Sequence, residues 1–301
     1  MDKVLFTGAS GRIGSALVNE LGVIFESPIK VDLLQNKKSL REISKRLPSS
    51  SVVESLGDLK YNLVIHLAAI TDTNYCQQLE NREMAREVNV GLTKKICGIS
   101  DRVILISTDR VFRGDREKHE EYEQKNPSDF YGQTKSEAED IVLDNNGTVI
   151  RIETMLGAKD MTVRNRVVDA VLDTEIRKGY YPFWENDYLN PSFLPDLITA
   201  MKSIINSNKN GIYHVACKNG PLSRKQIALE VLSVCKKEGI EIETSSIEYR
   251  KRPEGFRRIV LSTKRTEKEL GITFKDAKEA LREHIYQTLR HKVYLTKHKK
   301  I

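Results

Sequence analysis

Long apolar runs are missing from this chain, and so is any ordered pattern of cysteines. No stretch approaches the roughly 18 consecutive apolar residues of a membrane-spanning helix, so no membrane partner is expected. The four cysteines, Cys76, Cys97, Cys217 and Cys235, are scattered, with no CxxC and no close histidine pair. Neither a metal site nor a disulfide framework is therefore expected, and a reducing cytoplasm is the simplest compartment. Met1-Asp2-Lys3 runs straight into Val4-Leu5-Phe6 and a glycine loop, which leaves no secretory segment to expect there. A large excess of one charge is lacking too: 49 Lys and Arg against 42 Asp and Glu give +7 over 301 residues. That surplus is too diffuse to point to nucleic acid, and it suits a phosphorylated small molecule. With 39% hydrophobic and 30% charged residues, the composition is that of a globular chain and excludes a disordered one.

What is present in the first half is alternation. Lys3–Thr7, Leu63–Ala68 and Val103–Ser107 read as buried strands, with Val23–Glu26, Val31-Asp32-Leu33 and Val149-Ile150 as further short ones. Between them, helical spacing appears at Arg12–Leu21, at Leu40, Ile43 and Leu47, at Met84–Cys97 and at Gly132–Leu143. Strands alternating with helices predict an α/β fold with a doubly wound parallel sheet of the Rossmann kind. After about Arg151 the character changes to helices at Val163–Ile176, Leu194–Asn206 and Arg224–Lys237 among proline-bearing segments. The expected division is a dinucleotide-binding domain over 1–150 and a smaller substrate domain over 151–290 that also returns strands to the main sheet. Residues 291–301 are basic and are expected to fray.

The segment Thr7-Gly8-Ala9-Ser10-Gly11-Arg12-Ile13-Gly14 follows the first strand and opens the first helix. Glycines at this spacing let the backbone turn sharply, approach a pyrophosphate and pack helix on strand, while the helix end holds the phosphates. A tight turn needing glycine for geometry alone is the competing reading. Glu26 stands where the second strand is expected to end, placed to accept bonds from the adenosine ribose and to repel a 2′-phosphate; a solvated strand end is its alternative. Asp32 and Leu33 suit the adenine. NADH is thereby slightly favoured over NADPH, although Lys30, Lys37 and Lys38 lie close in sequence.

Three further segments complete a pattern. His66-Leu67-Ala68-Ala69-Ile70-Thr71 is followed by Val88-Asn89; then come Ile106-Ser107-Thr108-Asp109-Arg110-Val111-Phe112 and Tyr131-Gly132-Gln133-Thr134-Lys135. Together with Thr7–Gly14 they resemble the extended short-chain dehydrogenase/reductases, and within these the dTDP-4-dehydrorhamnose reductase group. Pro195-Asp196-Leu197, Gly211–Ala216, Arg252-Pro253 and Leu261–Lys264 match that group's later pattern, so the resemblance runs from about Lys3 to Ile272.

The chemistry agrees with the residues. Tyr131 and Lys135 stand four apart on one helix face. A free phenol, with a pKa near ~10, is a poor acid or base at neutral pH, and a neighbouring ammonium is expected to lower it. Thr108 ends a parallel strand and can aim its hydroxyl at a carbonyl that Tyr131 protonates. A packing tyrosine and a solvated lysine are the plainer alternatives. The resemblance implies hydride transfer from a reduced nicotinamide to the C4 ketone of a nucleoside-diphosphate 4-keto-6-deoxy sugar, with Thr108, Tyr131 and Lys135 catalytic. It also implies cofactor contacts at Gly8, Ser10, Gly11, Arg12, Ile13, Gly14, Ala68, Ala69, Ile70 and Asn89, besides Tyr131 and Lys135. Substrate contacts are expected at Thr71, Thr108, Asp109, Thr154 and Arg252, and a homodimer is left open.

Two departures bear on the substrate. Arg110 replaces the group's tyrosine, and Arg151-Ile152-Glu153-Thr154-Met155-Leu156-Gly157 carries Thr154 where the group has a tryptophan beside the sugar. The single tryptophan, Trp184, lies elsewhere. For the pyrophosphate of the substrate, Lys159, Arg164, Arg166, Arg252, Arg257 and Arg258 are the available cations, with Arg252 foremost. A nucleotide-sugar epimerase or dehydratase is a second reading, and Arg110 after Asp109 argues against the dehydratase. A third is a non-catalytic regulatory subunit of the kind that serves methionine adenosyltransferase, which keeps the cofactor motifs.

Overall fold

The computed structural model describes residues 3–21, 29–31, 60–114, 116–157, 165–172, 183–242, 247–251 and 258–298, with backbone alone for 29–31 and 292–298. Contacts divide the chain into two compact units. The first comprises residues 1–113, 121–151 and 201–214, the second 114–120, 152–200 and 215–301.

In the first unit, β1 (Val4–Thr7), β3 (Leu63–His66) and β4 (Val103–Thr108) are wholly buried, which is why their sequences are continuous apolar runs rather than alternating ones. The helices that flank them include α1 (Arg12–Leu21), α2 (Leu92–Gly98) and α3 (Phe130–Asp144). With β2 (Ile29–Val31) and β5 (Thr148–Ile152), the strands form a six-stranded sheet in the order Gly211–His214, β5, β4, β3, β1, β2. β1 pairs in parallel with both β2 and β3, β3 with β4, and β5 with Gly211–His214. The fold is the expected Rossmann-like α/β arrangement. Leu5, Val64, Leu92, Ile96, Leu105, Ala138, Val142 and Val149 make the core between strands and helices.

The expected strand at Val23–Glu26 and the helix around Leu40–Leu47 lie outside the described residues. The partner taken by β1 is Ile29–Val31, in register Leu5 to Ile29 and Thr7 to Val31. The single helix expected over Met84–Cys97 is continuous in direction but not in type: Arg82–Arg86 is α-helical, Glu87–Gly91 is π-helical, and α2 follows. α3 begins where Asp129 accepts a hydrogen bond from the Gly132 N–H at 2.8 Å.

The second unit packs helices Arg166–Leu172, Arg224–Lys237 and Ala277–His298 around Val168, Val171, Phe183, Val231, Leu281 and Ile285. The helix Arg224–Lys237 opens on a reciprocal cap between Ser223 and Gln226. The frayed segment expected from residue 291 onward is instead helical through His298; the apolar residues of the same helix, Ala277, Ala280, Leu281 and Ile285, are fully buried and anchor it. No helix among the described residues is long and apolar enough to cross a membrane.

Asn190 ties this unit's irregular segments together, accepting from the Leu261 N–H at 2.9 Å and donating to the Cys217 carbonyl at 3.3 Å while 1% exposed. Replacing it with alanine strands both backbone groups. Asn190→Ala is expected to cost about 2 kcal/mol, read as a lowered melting temperature; an unshifted melt would show that water or a relaxed loop replaces the amide.

Candidate active site

The glycine loop is built by close approach. Gly8 adopts φ +70°, and a Cβ there would lie 2.8 Å from the Ala68 nitrogen. A Cβ on Gly14 would stand 2.0 Å from the Gly8 carbonyl oxygen, so α1 can reach the end of β1 only with glycine at this point. The loop is closed by the Gly11 N–H donating to Gly8 at 3.0 Å and the Ser15 N–H to Gly11 at 2.9 Å. Ser10, Gly11 and Arg12 are exposed, Ile13 half-buried, and no acidic residue occupies the first turn of α1. A helix start behind a glycine cradle, with no acidic residue in its first turn, fits a diphosphate. Glu26, Asp32 and Leu33 lie outside the described residues.

Under the loop runs a directional chain of hydrogen bonds. The Ala68 N–H donates to Thr7 Oγ1 at 3.4 Å, and Thr7 Oγ1 stands 2.7 Å from His66 Nδ1. His66 Nε2 lies 3.0 Å from Thr93 Oγ1, whose hydroxyl donates to the Asn89 carbonyl at 2.8 Å. That last donation leaves Thr93 an acceptor, so the proton of His66 sits on Nε2 and Nδ1 accepts from Thr7. Burial and then the charge of Lys135 push the His66 pKa down to about 3, so the ring is neutral at physiological pH. Asn89, 1% exposed, clasps Ile70 through both its backbone groups, at 2.8 and 3.1 Å, and donates to Thr134 Oγ1 at 2.9 Å. Thr134 then donates to the Tyr131 carbonyl at 2.8 Å. The π-helical turn is what carries Asn89, and extra width in a helix of this kind recurs at working sites. Ala68 and Ile70 are buried, Ala69 half-buried and Thr71 exposed.

Thr108 ends β4, and its hydroxyl donates to Asp109 Oδ1 at 3.0 Å while accepting from the Arg110 N–H at 3.2 Å. It also shares a hydrogen bond with the Tyr131 phenol. Lys135, 3% exposed, donates from Nζ to the Ile106 carbonyl at 2.9 Å. The three expected catalytic groups thus come together at the carboxyl end of one parallel strand and the first turns of α3. One expectation is corrected. The phenol of Tyr131 is not lowered by Lys135 but raised well above its ordinary range, first by burial and then by the Asp109 carboxylate, against the opposing charge of Arg110 and the Thr108 bond. Lys135 itself is pushed down to about 8 by burial, which the charge of Glu139 opposes. The phenol is therefore held as a neutral proton donor.

Arg110, where the resembled group has tyrosine, ion-pairs with Asp129 at 2.6 Å. In the second unit, Thr154 is half-buried and donates to Glu153 Oε1 at 3.2 Å. Trp184 is half-buried in a strand paired with Tyr249–Arg250, and Arg258 lies over the Tyr188 ring at 5.5 Å. Arg166 is exposed, and Lys159, Arg164, Arg252 and Arg257 lie outside the described residues.

Sequence reasoning places Thr7, His66, Ser107, Thr134 and Arg151 within motif segments without giving them a role, and does not single out Thr93 or Glu139. Glu139 carries a signal that could have been read: it continues the face of Tyr131 and Lys135 by one more step of four.

A parallel sheet in this strand order, with a glycine turn after β1 and a Tyr–Lys pair beside the end of β4, defines a Rossmann-type α/β protein with a dinucleotide-compatible loop. The chain belongs to the RmlD substrate binding domain family, whose family model matches residues 2–290. It is 26% identical over 292 residues to the spore coat polysaccharide biosynthesis protein SpsK of Bacillus subtilis, covering 95% of this chain and 98% of that protein. It is 25% identical over 226 residues to the methionine adenosyltransferase 2 subunit beta of Bos taurus, covering 70% of this chain and 66% of that one. Its fold matches the dTDP-4-dehydrorhamnose reductase of Bacillus anthracis in complex with NADP at a TM-score of 0.72 and 20% identity, over 96% and 100% of the two chains.

The cradle is directly testable. Gly14→Ala should destabilise the protein by about 1–3 kcal/mol, as overpacking against backbone does. Gly98→Ala, where nothing lies within 4 Å of the added Cβ, should be neutral or slightly stabilising. Thermal unfolding of both variants checks the pair; equal melts would remove the close contact as the reason for glycine at 14.

Proposed function

We propose that this protein is an NAD(P)H-dependent reductase of a nucleoside-diphosphate 4-keto-6-deoxy sugar. The observation that carries the reading is the neutral Tyr131 phenol, bonded to Thr108 at the end of β4 and one helical turn from the buried Lys135. A reduced nicotinamide, when bound, supplies a hydride. The chain's own residues do the rest. Gly8, Ser10, Gly11, Arg12, Ile13 and Gly14 receive the diphosphate, and Ala68, Ala69, Ile70 and Asn89 wall the dinucleotide along the end of β3. Lys135 holds the ribose beside the nicotinamide. Thr108 orients the sugar carbonyl, and Tyr131 gives its proton to the oxygen as the ketone is reduced. Thr71, Asp109, Thr154 and Arg252 are the proposed substrate contacts, and Thr154 in place of tryptophan leaves a related nucleotide-linked keto sugar as good a candidate as the rhamnose precursor. The family membership and the likeness to a polysaccharide biosynthesis protein support this reading.

A regulatory role is the second reading, favoured by the likeness to a methionine adenosyltransferase beta subunit. Oxidation of NADH and NADPH against a panel of dTDP- and UDP-linked 4-keto sugars decides between them. Turnover with any member supports the reductase; tight cofactor binding with no turnover across the panel supports the subunit. In the active case, Tyr131→Phe should abolish turnover while cofactor affinity stays within a few-fold. Near-full activity of that variant would take the phenol out of the reaction.

Cofactor preference follows from strand pairing. Because β1 pairs with Ile29–Val31, the first carboxylate after that strand in sequence is Asp32, and Glu26 precedes it. In this fold the acidic residue closing the strand next to β1 meets the adenosine ribose. We therefore move the ribose role from Glu26 to Asp32. Asp32→Ala should weaken NADH binding about tenfold and leave NADPH little changed, and Glu26→Ala should alter neither, as isothermal titration would read. The opposite ranking would return the role to Glu26.

A further inference from the structure

Beneath Tyr131 and Lys135 on the same face of α3 lies a carboxylate with no access to water. Glu139 is 0% exposed and Arg151, on β5, 1%. Arg151 donates to it twice, from Nε to Oε1 at 2.9 Å and from Nη2 to Oε2 at 2.7 Å. The Ser107 hydroxyl, from β4, donates to Oε1 at 2.6 Å. Nη1 of Arg151 serves the Glu121 carbonyl at 2.8 Å and His214 Nε2 at 3.2 Å, with the guanidinium 4.9 Å from the centre of the Phe112 ring.

We infer that Glu139 is a positioning residue for the reactive face of α3: it fastens that helix to the ends of β4 and β5 and supplies the buried negative charge that faces Lys135. The inference rests on the reading of Tyr131 and Lys135 as the reacting pair.

Three observations carry it. The spacing 131, 135, 139 puts the phenol, the ammonium and the carboxylate on one stripe, four residues apart. Glu139 grips Ser107, the residue between Ile106, whose carbonyl receives Lys135, and Thr108, which bonds the phenol. One side chain therefore sets the register of both elements that build the site. Third, the charge around Lys135 is one-sided without it. His66, facing from β3, is neutral. Tyr131 is neutral on the same helix. Ile106 offers only a carbonyl. Lys125, 3.6 Å from Glu139, is itself positive and is paired with Asp140 at 2.6 Å. Burial pushes Lys135 down to about 8, and the charge of Glu139 is what opposes it.

The test reads the lysine directly and needs no substrate. In cofactor-free protein labelled at lysine Cε, the Lys135 resonance is identified by its absence in Lys135→Met, and its titration midpoint is followed by NMR. Glu139→Gln alone leaves Arg151 buried without its carboxylate, so the informative variant is Glu139→Gln with Arg151→Met, which removes the pair together and keeps the volume filled. The midpoint in this double variant should fall by about half a pH unit or more, less than for a lone lost opposite charge because the like charge of Arg151 leaves with it. Glu139→Asp, which keeps the charge, should restore the midpoint to within a few tenths of a unit of wild type. The alkaline loss of NADH binding should move with it, to lower pH in the double variant. A midpoint unchanged in the double variant, with only the melting temperature lowered, would overturn the inference and leave Glu139 a packing residue. A midpoint that shifts in a protein that reduces no keto sugar would keep the positioning role and sink the reductase reading. Turnover with an unmoved midpoint would do the reverse.

Discussion

The buried Glu139–Arg151 pair is the constraint from which the rest of the site follows. Taking a carboxylate and a guanidinium out of water costs several kcal/mol per ion, and only close geometry with every remaining donor and acceptor filled offsets it. Here the two-point contact, the Ser107 hydroxyl, the Glu121 carbonyl and His214 give both ions close partners. Such an arrangement tolerates little sliding. α3 cannot shift along β4 by even part of a turn without emptying one of the bonds, so Tyr131 and Lys135 are held at a fixed height relative to Ile106 and Thr108. A purely apolar contact at this place would hold the helix as firmly in energy but less exactingly in register.

A second, neutral network joins α3 to β1 and β3 through the helix that carries Asn89 and Thr93. From Ala68 through Thr7, His66, Thr93, Asn89 and Thr134 to the Tyr131 carbonyl, the bonds follow one another donor to acceptor, with Asn89 also clasping Ile70. His66 must stay neutral for that order to hold, because a protonated ring could not accept from Thr7. Burial and the nearby Lys135 charge keep it so. The glycine turn and the helix of the Tyr–Lys pair are thereby joined through side chains that touch neither solvent nor, on this reading, the reacting atoms.

The parts legible in the sequence were those governed by local rules. Apolar runs at Val4–Thr7, Leu63–His66 and Val103–Thr108 gave away strands buried on both faces, and the glycine spacing gave away the turn after β1. Tyr131, Lys135 and Thr108 were legible because a spacing of four and the end of a strand are features one can count. The return of a later strand to the main sheet was expected in kind, and Gly211–His214 pairing with Thr148–Arg151 supplies it. What escaped was finer. The short runs read as strands were Val23–Glu26 and Val31-Asp32-Leu33, whereas the described strand beside β1 is Ile29–Val31; hydrophobicity alone could not set its bounds. The polarity of the phenol was misread because an ammonium four residues away was credited while burial and Asp109 were not. The end of the chain was read as frayed from its basic composition, although the same helix is anchored by Ala277, Ala280, Leu281 and Ile285.

Arg110 shows how a departure from a family's pattern is absorbed. Asp109, bonded to Thr108, adds to burial in raising the Tyr131 phenol, while Asp129 caps α3. Arg110 lies 2.6 Å from Asp129, and although burial works against its charge, Asp109 and Asp129 outweigh that and raise its pKa. The positive charge then opposes Asp109 at Tyr131. A tyrosine at 110 could hydrogen-bond but could not supply that compensation. The departure therefore alters the electrostatic setting of the Tyr131 phenol.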